Sequence, residues 1–305
     1  MDWYTEFDKL ASDYLPDLEI AKEEPMRKHS SFRVGGPARR MAFPKSGEQI
    51  VLLIKLAEDC GTQPLIVGNG TNLLAPDAGL DRLVINTSTA FHQIQVHAGN
   101  VLEADSGVSL ARLADTACRE GLTGLEFAHG IPGTLGGAVC MNAGAYGGEM
   151  AHVLTSVTAL FPKEGIKTLS LKELDLGYRH SIFSDCPEAV VLHATVQLHP
   201  GDSEEIRATM KDLLDRRKRS QPLEYPSAGS TFKRPAGHFA GALIEQCGLK
   251  GQRVGGAQVS EKHAGFLINA GGATCTDVVD LIHLVQKRVF DETGVTLEPE
   301  VKLVR

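Results

Sequence analysis

Apolar positions recur along this chain at two spacings. Over residues 46–60, Ile50, Leu53, Ile54 and Ala57 share one face of a 3.6-residue repeat; Ser46 and Gln49 fit a reciprocal capping box, and Gly61 follows as a stop. A second helix is expected over 108–119, with Gly121 past its end. A third follows Pro200-Gly201-Asp202, with Ile206, Met210, Leu213 and Leu214 on one face. It ends in Arg216, Arg217, Lys218 and Arg219, cations that suit a helix C-terminus. A long fourth helix starts from a Thr276 cap, carries Ile282, Val285, Val289 and Phe290, and stops at Gly294. Strand-like patterns fall at 64–67, which runs into a glycine turn, and at 83–105. A further strand is expected over 295–303, with Val295, Leu297, Val301 and Leu303 on one face and Thr296, Glu298, Glu300 and Lys302 on the other. Alternating helix and strand predicts α+β or α/β domains, and the texture changes near residue 200.

At 305 residues the chain holds two or three domains of about 150 residues each. A hydrophobic share of 42% supports packed cores and excludes a disordered chain. The net charge of −7 argues against non-specific binding to nucleic acid. Cys60, Cys118, Cys140, Cys186, Cys247 and Cys275 form no CxxC pair and no close metal-ligand spacing, so they read as reduced thiols and no metal is expected. That usage fits a cytoplasmic compartment. The start of the chain carries Asp2, Glu6, Asp8, Asp13 and Asp17 and lacks the basic, then apolar, order of a secretory signal. No run of about 18 apolar residues is present, so no membrane span is expected.

Two segments are richer in glycine than packing requires. The first, Gly68-Asn69-Gly70-Thr71-Asn72, follows the apolar 64–67 run. The second is Gly130-Ile131-Pro132-Gly133-Thr134-Leu135-Gly136-Gly137, continuing to Asn142-Ala143-Gly144-Ala145-Tyr146-Gly147. Without a Cβ, backbone N–H groups can approach an anion closely, and Thr71, Asn72 and Thr134 add side-chain donors. A dinucleotide fingerprint is disfavoured: where G-x-G-x-x-G needs its third glycine the first loop has Leu73, and Pro76 and Gly79 follow. G-x-x-x-x-G-K-[ST] is absent. One such loop alone would be an ordinary turn; two in one region point to a diphosphate.

The stretch 129–147, with the early Phe32-Arg33-Val34-Gly35-Gly36-Pro37, resembles the FAD domain of the vanillyl-alcohol-oxidase superfamily, in which two small α+β subdomains clasp FAD. Three more motifs narrow the resemblance: Tyr178-Arg179-His180-Ser181-Ile182-Phe183, Ala228-Gly229-Ser230-Thr231-Phe232-Lys233-Arg234-Pro235 and Leu297-Glu298-Pro299-Glu300-Val301. With the glycine loops, they resemble the UDP-N-acetylenolpyruvoylglucosamine reductase family, in its shorter form, from about residue 29 to the C-terminus. The resemblance implies an α+β chain: FAD-binding subdomain 1 over residues 1–88, subdomain 2 over 89–200, and a substrate domain over 201–305 whose last strand packs back on the FAD domain.

The activity so implied is NADPH-dependent reduction of UDP-N-acetylglucosamine enolpyruvate through non-covalent FAD, in cell-wall precursor synthesis. Hydride goes to the terminal vinyl carbon, charge moves to the adjacent carbon and the carboxylate, and a proton quenches that carbon. By resemblance Arg179 binds the carboxylate and stabilises the enolate, because a guanidinium is permanently charged and pairs with both oxygens. Ser230 delivers the proton. Glu300 lies on the other side of the carboxylate, where burial would raise its pKa and Arg179 lower it. The resemblance assigns the FAD pyrophosphate to Gly68, Asn69, Gly70, Thr71, Asn72, Gly130, Ile131, Pro132, Gly133, Thr134, Gly136, Gly137, Asn142, Gly144 and Ala145. It puts Arg217, and also Lys302, beside the flavin. Lys233 and Arg234 are expected at the UDP phosphates, and Tyr178, Gln221 and His263 elsewhere in the substrate site. Taken without its motif, Arg179 is a surface charge, Ser230 a turn residue and Glu300 part of a solvated strand face.

Two rival readings remain open at this level: an oxidase on the same fold, with flavin attached through a His or Cys, and a non-redox module that holds a nucleotide sugar. The first loop has no well-placed His after its glycines, which disfavours the oxidase. No separate dinucleotide fold is visible for NADPH, so the nicotinamide and the UDP-sugar are expected to take turns at one open face. A monomer without nucleic-acid or membrane partners is expected.

Overall fold

The computed structural model describes residues 2–304. It divides into two compact units that are interleaved in sequence. One comprises Met1–Ala21, Arg40–Asn69 and Arg82–Arg216; the other comprises Lys22–Arg39, Gly70–Asp81 and Arg217–Arg305.

In the first unit, α1 (Trp3–Tyr14) buries Phe7 and Ala11. It is fastened by Arg40, a buried cation whose Nε and Nη2 reach the two oxygens of Asp8 at 2.6 and 2.8 Å. The paired geometry offsets the cost of burying charge. Helix α2 (Gly47–Asp59) buries Ile50, Leu53, Ile54 and Ala57, the face expected from their spacing. Its capping differs in one detail. Ser46 Oγ accepts from Gln49 N, but Gln49 Oε1 accepts from Lys45 N, one residue before the cap, so the reciprocal box is not closed. Leu65–Val67 pairs in parallel with residues 84–86, Leu65 opposite Val84.

A five-stranded antiparallel sheet forms the larger core of this unit, in the order Gly165–Ser170, Leu154–Phe161, Val190–Gln197, Val101–Asp105, Ile94–His97. Helix α3 (Leu110–Arg119) starts two residues later than its apolar pattern implies, because Ser109 is the cap and accepts from Arg112 N. It buries Leu110, Leu113, Ala114 and Ala117 in that core. Each fully buried leucine there contributes about 1.5–3 kcal/mol. Two short helices follow, α4 (Leu135–Cys140) and α5 (Ile182–Asp185). Helix α6 (Ser203–Ser220) begins at Asp202, whose carboxylate accepts from Glu204 N and Glu205 N, and buries Ile206 and Met210.

The second unit has its own antiparallel sheet, in the order Ser227–Ser230, Phe266–Asn269, Ala257–Val259, Arg253–Val254. Helices α7 (Ala240–Gln246) and α8 (Cys275–Thr293) complete its core. Helix α8 is capped by Thr274, not Thr276: Thr274 Oγ accepts from Asp277 N while Asp277 returns the bond to Thr274 N. Thr276 instead sits in the first turn, where its N–H and hydroxyl both reach Asp77. Ile282, Val285 and Val289 are buried as expected and Gly294 ends the helix in left-handed geometry, but Phe290 is 54% exposed. The 295–303 alternation holds for burial of Leu297 and Val301, yet only Lys302–Leu303 forms a strand, parallel to Leu73–Leu74. Leu303 is exposed. Pro299 takes part only in an isolated bridge to Phe232, flanked by bonds from Lys233 N to Glu298 O and from Glu300 N to Thr231 O, a position that needs no N–H from the proline. Among the described residues no helix is long and apolar enough to cross a membrane.

Candidate active site

The first unit brings parts of both glycine-rich segments together. A Cβ built on Gly68 would lie 2.2 Å from Thr134 Oγ1, so only glycine lets these two turns approach this closely. Asn69 Nδ2 donates to the Pro132 carbonyl at 3.2 Å, a second tie between the same segments. Thr134 is buried and bridges to Ser109, Leu110 N donates to Gly133 O, and Gly136 N donates to Ser106 O. The turn is therefore built onto the entrance of α3. His129, at the head of the segment, faces Asp115 through Nε2 at 3.4 Å, while its Nδ1 is buried and has no hydrogen-bond partner among the described residues. A buried ring nitrogen left unsatisfied is costly and marks a place for a ligand atom.

Beyond α4 the chain turns through Asn142 and enters a two-stranded ribbon, Gly144–Ala145 with Gly148–Glu149. Tyr146 and Gly147, both at positive φ, form its tight turn. Asn142 is 2% exposed. Its Oδ1 accepts from Ala151 N at 2.9 Å and its Nδ2 donates to Gly177 O at 3.1 Å.

Gly177 opens the turn that carries Tyr178 and Arg179. Gly177 N and His180 O, and His180 N and Gly177 O, are paired at 3.1 and 3.2 Å. Arg179 has φ +55°, a left-handed backbone for a non-glycine residue. Its guanidinium carbon lies 5.5 Å from the Tyr178 ring centre. His180 faces Asp175 at 3.4 Å and Asp185 at 3.8 Å. The ligand atoms of these three lie within 4.8 Å of one another, a grouping that distant parts of the 175–185 segment make only on folding.

The second unit holds Gly70, Thr71, Asn72, Arg217, Gln221, Ser230, Lys233, Arg234, His263, Glu300 and Lys302. Ser230 ends the first strand of its sheet, opposite Phe266, after an irregularity at Gly229, where φ is +75°. The Ser230 side chain is left exposed while Thr231, next in the chain, is buried. Thr231 Oγ1 accepts from Leu267 N, Thr231 N donates to Gly265 O, and Thr231 O accepts from Glu300 N at 2.8 Å. The backbone of Glu300 is thereby tied to the residue that follows Ser230. Phe232 bridges to Pro299, Lys233 N donates to Glu298 O, and Lys233 Nζ pairs with the Glu298 carboxylate. Asn72 Nδ2 donates to Glu300 O at 3.1 Å and Asn72 O accepts from Lys302 N, so the exit of the first glycine loop aligns the Glu300 segment.

The remaining candidates are more dispersed. Arg234 packs over the Phe239 ring at 4.5 Å. Arg217 lies in the last turn of α6, where its carbonyl accepts from Gln221 N, and Gln221 Oε1 is buried with no hydrogen-bond partner among the described residues. His263 Nδ1 accepts from Gly265 N, and burial lowers its pKa, which favours the neutral ring protonated at Nε2. Thr231 and His129 carry weight that the sequence reading did not assign to them; Thr231 lies inside a motif, and only its burial reveals its role.

Two family models match the chain: a FAD binding domain over residues 38–170, and the UDP-N-acetylenolpyruvoylglucosamine reductase C-terminal domain over 221–304. The chain is 48% identical to UDP-N-acetylenolpyruvoylglucosamine reductase of Pediococcus pentosaceus, over 97% of this chain and 98% of that one. It is 47% identical to the enzyme of that name from Clostridium perfringens, over 100% and 99%. Among solved structures, the UDP-N-acetylenolpyruvylglucosamine reductase of Thermus caldophilus superposes with a TM-score of 0.79 at 34% identity, covering 94% of this chain and 99% of that chain. Alkyldihydroxyacetonephosphate synthase, at 16% identity and a TM-score of 0.50, shares a fold over 65% of this chain and 44% of that chain.

Proposed function

The chain belongs to the UDP-N-acetylenolpyruvoylglucosamine reductase family, and from that membership we propose how its own residues carry the reaction. It is an oxidoreductase that reduces UDP-N-acetylglucosamine enolpyruvate with FAD in peptidoglycan precursor synthesis. Its fold is α+β: an FAD-binding fold of the vanillyl-alcohol-oxidase type followed by the family's C-terminal domain. Membership decides for the reductase over the oxidase and the non-redox binding module.

The residues of the first unit fit a diphosphate-bearing cofactor. The turns at Gly68 and Thr134 approach too closely for any side chain at 68, and His129 offers an unsatisfied buried nitrogen beside Gly130. Gly68, Asn69, Gly130, Ile131, Pro132, Gly133, Thr134, Gly136, Gly137, Gly144 and Ala145 would line the pyrophosphate. Pro132 has no N–H, and those of Ile131 and Gly136 are bonded to Ala128 O and Ser106 O, so these three would shape the turn while others donate. Gly70, Thr71 and Asn72, with Arg217 nearer the ring, would complete the set. FAD, when bound without a covalent link, supplies the hydride, and NADPH is the co-substrate that recharges it.

Arg179 holds the substrate carboxylate and stabilises the negative charge that develops as the vinyl carbon is reduced. The Ser230 hydroxyl then gives its proton to the adjacent carbon; a carbanionic centre is basic enough to take it. Glu300 lies on the carboxylate's other side. Lys233 and Arg234 take the UDP phosphates, with Tyr178, Gln221 and His263 completing the pocket. The observation that supports this reading best is the Glu300 N–H bond to Thr231 O, which ties the backbone of the Glu300 segment to the residue next to Ser230 within one unit. Function as a cytoplasmic monomer that serves cell shape and division follows from the same reading.

Mixing enzyme, NADPH and UDP-N-acetylglucosamine enolpyruvate tests it. The yellow flavin colour should bleach with NADPH and return with the enolpyruvyl sugar, and initial-velocity lines should be parallel. Purified protein that lacks flavin absorption and is not reconstituted by FAD would end the proposal, and intersecting lines would end the shared-face part of it.

A further inference from the structure

We propose that Asn142 is a positioning residue for Arg179, acting through the carbonyl of Gly177. The proposal rests on the role given above to Arg179.

Arg179 occupies the third position of the turn Gly177-Tyr178-Arg179-His180, where its φ of +55° has the sign that a type II turn requires. That position suits glycine, and an arginine there is strained by roughly 1–2 kcal/mol. Turning the Tyr178–Arg179 peptide over would relieve the strain and move the guanidinium with it. Something must hold the strained form. Gly177 O is the atom that closes the turn, accepting from His180 N at 3.2 Å. The same oxygen accepts from Asn142 Nδ2 at 3.1 Å, so both its lone pairs are used.

Asn142 is itself firmly held. It is 2% exposed, its Oδ1 accepts from Ala151 N, and its N–H donates to Val139 O. Its φ is +39°, which an asparagine tolerates better than most residues. With both ends of its amide bonded to protein, this side chain links the second glycine segment to the arginine turn and would serve the cofactor by placing backbone. Ser181 Oγ, donating to Cys140 O at 2.9 Å, steadies the turn from its other end.

The test is Asn142→Asp. It keeps the size, an acceptor for Ala151 N and tolerance of positive φ, but sets an oxygen against Gly177 O. Flavin reduction by NADPH and flavin reoxidation by the enolpyruvyl sugar are followed separately by stopped flow, alone and combined with Arg179→Ala. Reoxidation is expected to slow roughly tenfold or more, well beyond any change in reduction. Combined with Arg179→Ala, Asn142→Asp is expected to add little, because its effect passes through that residue. Asn142→Ser, a second variant should the first fold poorly, should show the same split. If Arg179→Ala is slow but the two losses multiply, or both half-reactions fall equally, Asn142 acts only on general structure and the proposal fails. If Arg179→Ala reoxidises normally, the assigned role of Arg179 and this inference fall together.

Discussion

The backbone N–H of Glu300 donates to the carbonyl of Thr231 at 2.8 Å, and this one bond sets the C-terminal carboxyl segment beside Ser230. Thr231 can serve as the hinge of the arrangement because it is buried and bonded through its hydroxyl to Leu267 N, while Ser230, its neighbour, stays exposed. One residue faces the core and the next faces outward, as strand alternation requires.

Ser230→Ala removes the proposed proton donor and leaves the backbone in place. Reoxidation of reduced flavin by the enolpyruvyl sugar should slow by roughly 10²–10⁴-fold, the span for losing a general acid, while reduction by NADPH is unchanged. Equal loss in both half-reactions under stopped flow would remove Ser230 from proton transfer.

Arg179→Ala should cost about 3 kcal/mol of transition-state stabilisation, by analogy with losing a donor from an oxyanion site. Steady-state kinetics should show it mainly in kcat, since the charge it meets develops during the reaction. Near-normal turnover would take the guanidinium out of the site.

Gly68→Ala drives a methyl group into Thr134, whose Oγ1 lies 2.2 Å from the point a Cβ at residue 68 would occupy. Overpacking of this kind costs about 1–3 kcal/mol, so FAD affinity should fall roughly 10–100-fold. Thr134→Ala in the same chain should recover part of it, since it removes the nearest atom. Flavin retained per chain on desalting reads both effects.

Asp77 bears on stability. Its carboxylate accepts from Cys275 N, Thr276 N and Thr276 Oγ1 at the start of α8. Burial pushes the carboxyl up, but the bonds from Thr276 and Cys275 outweigh it and hold it below its usual value. Folding thus favours the deprotonated form. The stabilisation is fully present above the unfolded carboxylate's titration, at about pH 3.9, and drains away as pH falls through the lower folded value. Asp77→Ala should lower stability by about 1 kcal/mol at pH 7, as loss of a helix cap does, and by less as the solution is acidified below pH ~3. Urea unfolding at the two pH values measures the difference; an equal deficit at both would show that the charge is not what matters.

Local features were readable in the chain because their causes are local. The α2 face follows from residues three and four apart, and Gly294 ends α8 because few other residues accept its backbone. Elsewhere local signals fell short. The sequence pattern points to Thr276 as the cap, but Thr274 caps α8, and Thr276 sits in the first turn bonded to Asp77, remote in sequence. The alternation over 295–303 reports the burial of Leu297 and Val301 but not of Leu303, and the need for a partner limits the strand to Lys302–Leu303.

The amino-acid order alone determined the helices, the glycine turns and the motifs that identify the family, since each is written in neighbouring residues or in short spacings. Tertiary structure decided the rest. The interleaving of Lys22–Arg39 and Gly70–Asp81 with the C-terminal unit, the meeting of Gly68 with Thr134, and the Asn142 grip on Gly177 all join residues far apart in the chain. Such contacts depend on which surfaces are buried together, and no local periodicity encodes that.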